Sequence, residues 1–105
     1  MTPKAGEVYI LDLGFQGKVR PVVIMSREDP DAPRALSVYV PLTTENRGSK
    51  YEVVMPRVPW LKLQGVANTL AIGTAGHYEL TNRRGRFDAA TVERIRGAIR
   101  WTFDF

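Results

Sequence analysis

Few side chains in this 105-residue sequence can do chemistry at neutral pH. There is no cysteine, which removes thiolate nucleophiles, thiolate metal sites and disulfides. The single histidine, His77, removes any site that needs two, and it is the only side chain whose ordinary pKa lies near neutrality. Arginine is what the chain has in quantity, outnumbering lysine eleven to four. A guanidinium forks a phosphate with two hydrogen bonds and stacks on flat rings. Fifteen basic against eleven acidic residues give a net charge of +4 and a pI near 9.8, a balance that leans toward a polyanion or an acidic protein partner. Arg83-Arg84-Gly85-Arg86 reads either as a phosphate grip or as a solvated basic turn. Phe15 and Trp60 fall in loops, where each can stack a base or meet another protein. Trp101 and Phe105, at the end of the chain, fit packing better than chemistry.

The elements that must carry these groups are short. Glu7 to Leu13 and Arg20 to Ser26 are β-branched runs of strand length, with Pro21 at a strand start or on an edge. Ala35 to Thr43 alternates: Leu36, Val38, Val40 and Leu42 share one face, and Ser37, Tyr39, Pro41 and Thr43 the other. Tyr51 to Met55 reads as a fourth strand, Pro56 to Gln64 as a loop displaying Trp60, and Gly65 to Ile72 and Thr74 to Leu80 as two glycine-weakened strands. Thr81 to Arg86 reads as a basic turn. Asp88 is positioned to cap a helix from Ala89 to about Phe103, with Phe87 as a staple residue and Val92, Ile95, Ile99 and Phe103 as its apolar stripe. The length suits one domain spanning 1–105, and the pattern suits a mainly β fold, a bent sheet or small barrel with a helix packed against it. No apolar run approaches ~18 residues and the opening residues lack a secretory h-region, so the expectation is a soluble, cytoplasmic protein without a membrane segment.

The order Gly6-Glu7-Val8-Tyr9, Arg20-Pro21-Val22-Val23-Ile24-Met25-Ser26 and Val40-Pro41-Leu42-Thr43-Thr44, followed by Arg47-Gly48, Tyr51-Glu52-Val53 and Gly65-Val66-Ala67-Asn68, resembles the PemK/MazF family of endoribonuclease toxins over nearly the whole chain. The resemblance implies an SH3-like, partly open small barrel with a C-terminal α-helix that works as a homodimer. It implies cleavage of single-stranded RNA with no cofactor, and neutralisation by a cognate antitoxin that lays an acidic, flexible tail over the groove. By motif, Arg20 and Thr43 take the catalytic positions, and Phe15, Lys18, Thr44, Arg47 and Asn68 the RNA contacts. The stretch Asn68 to Gly73 lacks the glutamine and basic residue often found there, and the loop from Leu13 to Val19 is shorter than in many members.

Such cleavage uses the neighbouring 2′-OH as an internal nucleophile, so the protein's main task is to stabilise charge on the phosphate oxygens. Arg20 suits that task better than base catalysis, because its pKa lies above ~12. His77 is the one side chain with a base-like pKa, but it lies outside the matched motifs. Two other readings fit the sequence: an SH3-like module that binds RNA or protein without cutting, and a fold relative that poisons a topoisomerase.

Overall fold

The computed structural model describes residues 1–14, 19–62 and 64–105. Its architecture is an antiparallel, seven-stranded sheet with one C-terminal helix. The strands are β1 (Glu7–Asp12), β2 (Val19–Ile24), β3 (Leu36–Thr43), β4 (Glu52–Val54), β5 (Val66–Asn68), β6 (Gly73–Gly76) and β7 (Thr81–Arg86), and helix α1 spans Ala89–Phe103. The order is β4-β5-β3-β2-β1-β7, with β6 also on β3. The ladder therefore runs from β4 to β7 without closing, which gives the partly open barrel expected from the sequence.

β3 is the hub. Along one edge it pairs with β2; along the other, its first half pairs with β6 and its last two residues with β5. Pro41, which has no N–H to give, falls where β3 leaves β6 and has not yet met β5. Pro21 lies within β2, opposite Ile10, just before β2 becomes paired on both sides at Val22. Both prolines thus sit where the ladder needs no donor from them.

The sheet is covered on both faces. Val8, Val23, Val40, Leu42, Val53, Met55, Ala67 and Phe87 pack with Val92 and Ile95 of the helix. Tyr9, Leu11, Val22, Ile24, Ala75 and Leu80 form a second cluster, against which Tyr39 packs. The second face of β3 is therefore not a plain polar surface: Ser37 is buried and Tyr39 half-buried, while Leu36, on the apolar face, is exposed at the strand start. The helix follows its expected signals, except that Phe103, the last residue of the expected stripe, is exposed and outside the core cluster. The Asp88 carboxylate accepts from the Thr91 N–H at 2.9 Å, and Phe87 joins the same cluster as Val92, as a staple requires.

Three expectations are corrected. Thr81–Arg86 is not a turn but an edge strand paired with β1. The two glycine-weakened strands are shorter than expected, each ending in a single 3₁₀ turn, Thr69–Ala71 and His77–Glu79. Trp60 is not displayed. Its ring lies 4.9 Å from that of Phe87 and covers Gly85 so closely that a Cβ there would stand 2.4 Å from the indole. The β4–β5 connection thus reaches across to β7 and closes with side chains an opening that backbone hydrogen bonds leave. No helix among the described residues is long and apolar enough to cross a membrane.

Candidate active site

The β2–β3 register decides where the sequence-predicted pair lies. Val22 faces Pro41, Val23 faces Val40 and Ile24 faces Tyr39. Two residues before Val22 and two after Pro41, the same register brings Arg20 opposite Thr43. Side chains two apart share a face, and here they meet: Arg20 Nη1 donates to Thr43 Oγ1 at 3.1 Å. At this point β3 turns from β2 toward β5, pairing Thr43 with Val66. Gly65 lets the two backbones approach, since a Cβ there would stand 2.8 Å from the Thr43 carbonyl oxygen.

The Thr43 hydroxyl is polarised by its partners. Besides the Arg20 bond, its oxygen accepts from the Glu45 N–H at 3.3 Å. A hydroxyl has two lone pairs and one proton. With both lone pairs engaged by donors, the O–H is left to donate away from the protein. Arg20 keeps further N–H groups beyond the one spent on Thr43. The pair therefore presents a fixed cation and an oriented donor side by side, as an oxyanion requires.

Both residues line a groove of about 340 Å³. Ile10, Val19, Pro21, Leu42 and Leu61 supply its apolar surface; Arg20, Lys62, Arg84, Thr43 and Thr44 supply its polar groups. No carboxylate, amide or imidazole lines it among the described residues. Lys62 and Arg84 were not singled out by motif. Arg84 was legible only as part of a basic stretch, and Lys62 carried no signal beyond its charge.

The remaining candidates divide. Thr44 lines the groove with Thr43. Arg47 is exposed and paired with Glu45 at 3.0 Å, in a turn organised by the Glu52 carboxylate, which accepts from the Arg47 and Ser49 backbone N–H groups. Those bonds hold the Glu52 carboxyl below its usual pKa. The Asn68 side chain accepts from the Leu70 N–H, capping the first 3₁₀ turn, and it does not line the groove. Phe15 and Lys18 lie outside the described residues. His77 opens the second 3₁₀ turn and lines a different hollow with Arg27 and Asp29, so it is not brought to Arg20 and Thr43. Trp101 packs its ring edge against Tyr51 at 4.9 Å, but Phe105, expected to pack, is 88% exposed and touches only the neighbouring Phe103 ring among the described aromatics.

The family described as PemK-like, MazF-like toxin of type II toxin–antitoxin systems matches residues 4–103. Solved structures agree. An endoribonuclease in complex with its cognate antitoxin, from a mycobacterial species, is 31% identical, with 98% of this chain and 96% of that chain covered and a TM-score of 0.85. Mycobacterium tuberculosis toxin MazF-mt6 is 27% identical, with 94% and 97% covered and a TM-score of 0.82. MazF from Deinococcus radiodurans, at 20% identity and a TM-score of 0.84 with 100% and 99% covered, shares the fold. No curated protein matches by sequence.

Proposed function

The chain belongs to the PemK-like, MazF-like toxins of type II toxin–antitoxin systems, and from that membership we propose that it is the toxin of such a system, a single-domain endoribonuclease that cuts single-stranded RNA in the cytoplasm at Arg20 and Thr43. The observation that carries the site is the Arg20–Thr43 hydrogen bond at 3.1 Å on the wall of a cationic groove.

In this reaction the 2′ oxygen attacks the adjacent phosphorus and the P–O5′ bond breaks. The proton lost by the 2′-OH passes to water, and the leaving 5′ oxygen takes one up. The products are a 2′,3′-cyclic phosphate, which can open to a 3′-phosphate, and a 5′-OH. Because the nucleophile belongs to the substrate, the chemistry needs no metal to generate one. Arg20 neutralises charge on the non-bridging oxygens as it builds in the transition state, and the Thr43 O–H donates to one of them. A guanidinium holds its proton too tightly to serve as the base, and no carboxylate or imidazole stands among the described lining residues to replace it.

The neutralising partner is a cognate antitoxin with an acidic tail, consistent with the antitoxin present beside the mycobacterial endoribonuclease. A groove with three cations and no carboxylate among its described lining residues suits such a tail. The working species is a homodimer, which sedimentation at micromolar concentration tests. The function itself is tested by incubating the purified protein, with EDTA, on a mixed-sequence single-stranded RNA. Fragments with 5′-OH ends are expected, and RNA left intact across many sequences overturns the reading in favour of a module that binds without cutting.

A further inference from the structure

β7 carries three arginines within four residues, and the structure uses them differently. Arg83 is taken by Glu7, its Nε 2.7 Å from Oε2. Arg86 donates from Nε to the Ala5 carbonyl at 3.2 Å. Arg84 lies between them and has no carboxylate or carbonyl partner for its side chain among the described residues; it lines the groove that holds Arg20 and Thr43.

The backbone explains the split. β7 pairs with β1 through Val8 opposite Gly85 and Ile10 opposite Thr81, so the register slips between these pairs. Asn82 sits in that stretch with a φ of 49°. A bulge of this kind breaks the strict alternation of faces and re-aims side chains. Here Arg83 reaches the Glu7 carboxylate while the next residue reaches the groove. An unpaired guanidinium can be recruited without breaking an internal ion pair, so only its hydration and side-chain freedom oppose binding.

We propose that Arg84 is a substrate-binding cation of this site, gripping a phosphodiester of the RNA strand other than the one held by Arg20. The inference rests on the reading that the groove takes RNA. It adds a second fixed point on the backbone, which sets the direction in which the strand lies across the Arg20–Thr43 pair.

The test uses a 2′-O-methyl oligoribonucleotide, which binds but cannot be cut, with affinity followed by fluorescence anisotropy across a salt series. Arg84→Ala is expected to weaken binding about tenfold and to lower the salt slope by ~0.7, the share of one single-strand phosphate contact. On cleavable RNA its KM rises more than its kcat falls, and its melting temperature stays at the wild-type value. Arg84→Lys restores the slope. Arg86→Ala removes the same charge two residues away and leaves the slope nearer wild type. Equal slopes for Arg84→Ala and wild type, or equal losses for Arg84→Ala and Arg86→Ala, overturn the assignment while RNA cleavage by the groove stands. A wild-type protein that neither binds nor cuts RNA overturns the assignment together with the reading beneath it.

Discussion

Arg20 and Thr43 stand 23 positions apart in sequence, yet Nη1 of one and Oγ1 of the other are 3.1 Å apart because the β2–β3 register puts them opposite each other. Both residues lie within strands, Arg20 in β2 and Thr43 at the end of β3. The pair is pre-formed before substrate arrives, which is the condition under which a donor and a cation stabilise developing charge most effectively.

Thr43→Val keeps the shape of the side chain and removes the hydroxyl. Cleavage is expected to fall by ~10²–10³, the usual loss for one oxyanion donor. Thr43→Ser keeps the oxygen between Arg20 and the Glu45 N–H and retains most activity. Initial rates on an end-labelled RNA, alongside thermal melts showing both variants folded, check this. Equal rates for Val and Ser would remove the hydroxyl from the mechanism.

Gly65→Ala touches neither of the two side chains proposed to be catalytic. Its new Cβ would stand 2.8 Å from the Thr43 carbonyl, and backbone has little room to yield. The end of β3 must shift, so cleavage is expected to drop about tenfold or more through misplacement alone. The same rate assay reads it, and wild-type turnover would show that the Thr43 backbone tolerates displacement.

His77→Ala is expected to leave both the rate and its pH profile unchanged, because His77 lies in a hollow away from the groove. A profile measured from about pH 5 to 9 that loses an inflection near neutrality in the variant would bring the imidazole into the reaction.

Glu7 predicts an acid transition. Burial alone would raise its carboxyl, but hydrogen bonds from Arg83, the Lys4 N–H and the Tyr9 hydroxyl, with the Arg83 charge, outweigh it and hold the pKa below the usual carboxylate value. A carboxyl depressed in the fold contributes stability above its unfolded pKa and loses it as pH falls through the folded value. Wild-type stability should therefore decline as pH drops below the ordinary carboxylate range, and Glu7→Gln should be less stable at neutral pH with a flatter acid limb. Chemical denaturation at several pH values measures both; parallel limbs would clear Glu7 of the effect.

Ile95→Ala, at a position with no exposed surface under the sheet, is expected to cost about 2–5 kcal/mol. Urea unfolding gives the value, and a loss under about 1 kcal/mol would mean that the helix is not seated on this core.

The helix was legible because its signals are local: Asp88 as cap, Phe87 and Val92 as staple, an apolar stripe at helical spacing. β1 to β3 were legible because β-branched runs bounded by glycine and proline leave few alternatives. β7 was not, because Thr81–Arg86 is polar throughout with a glycine inside, and its pairing with β1 rests on backbone groups that side-chain pattern does not report. Charged residues on an edge strand are a common way to block further pairing, and in sequence they look like a turn. Trp60 was misplaced for a related reason: its partner is a glycine, whose lack of a side chain leaves no mark of what covers it. Arg20 and Thr43 could be named by motif, but their contact depends on register, which only the folded sheet supplies.

Because that contact is written into the ladder between β2 and β3, the scissors and the reading head are separate parts. Leu61 and Lys62, in the connection from β4 to β5, border the groove without taking part in the Arg20–Thr43 bond proposed to do the cutting. Exchanging them can retarget the nuclease to a different nucleotide word while its blade stays sharp.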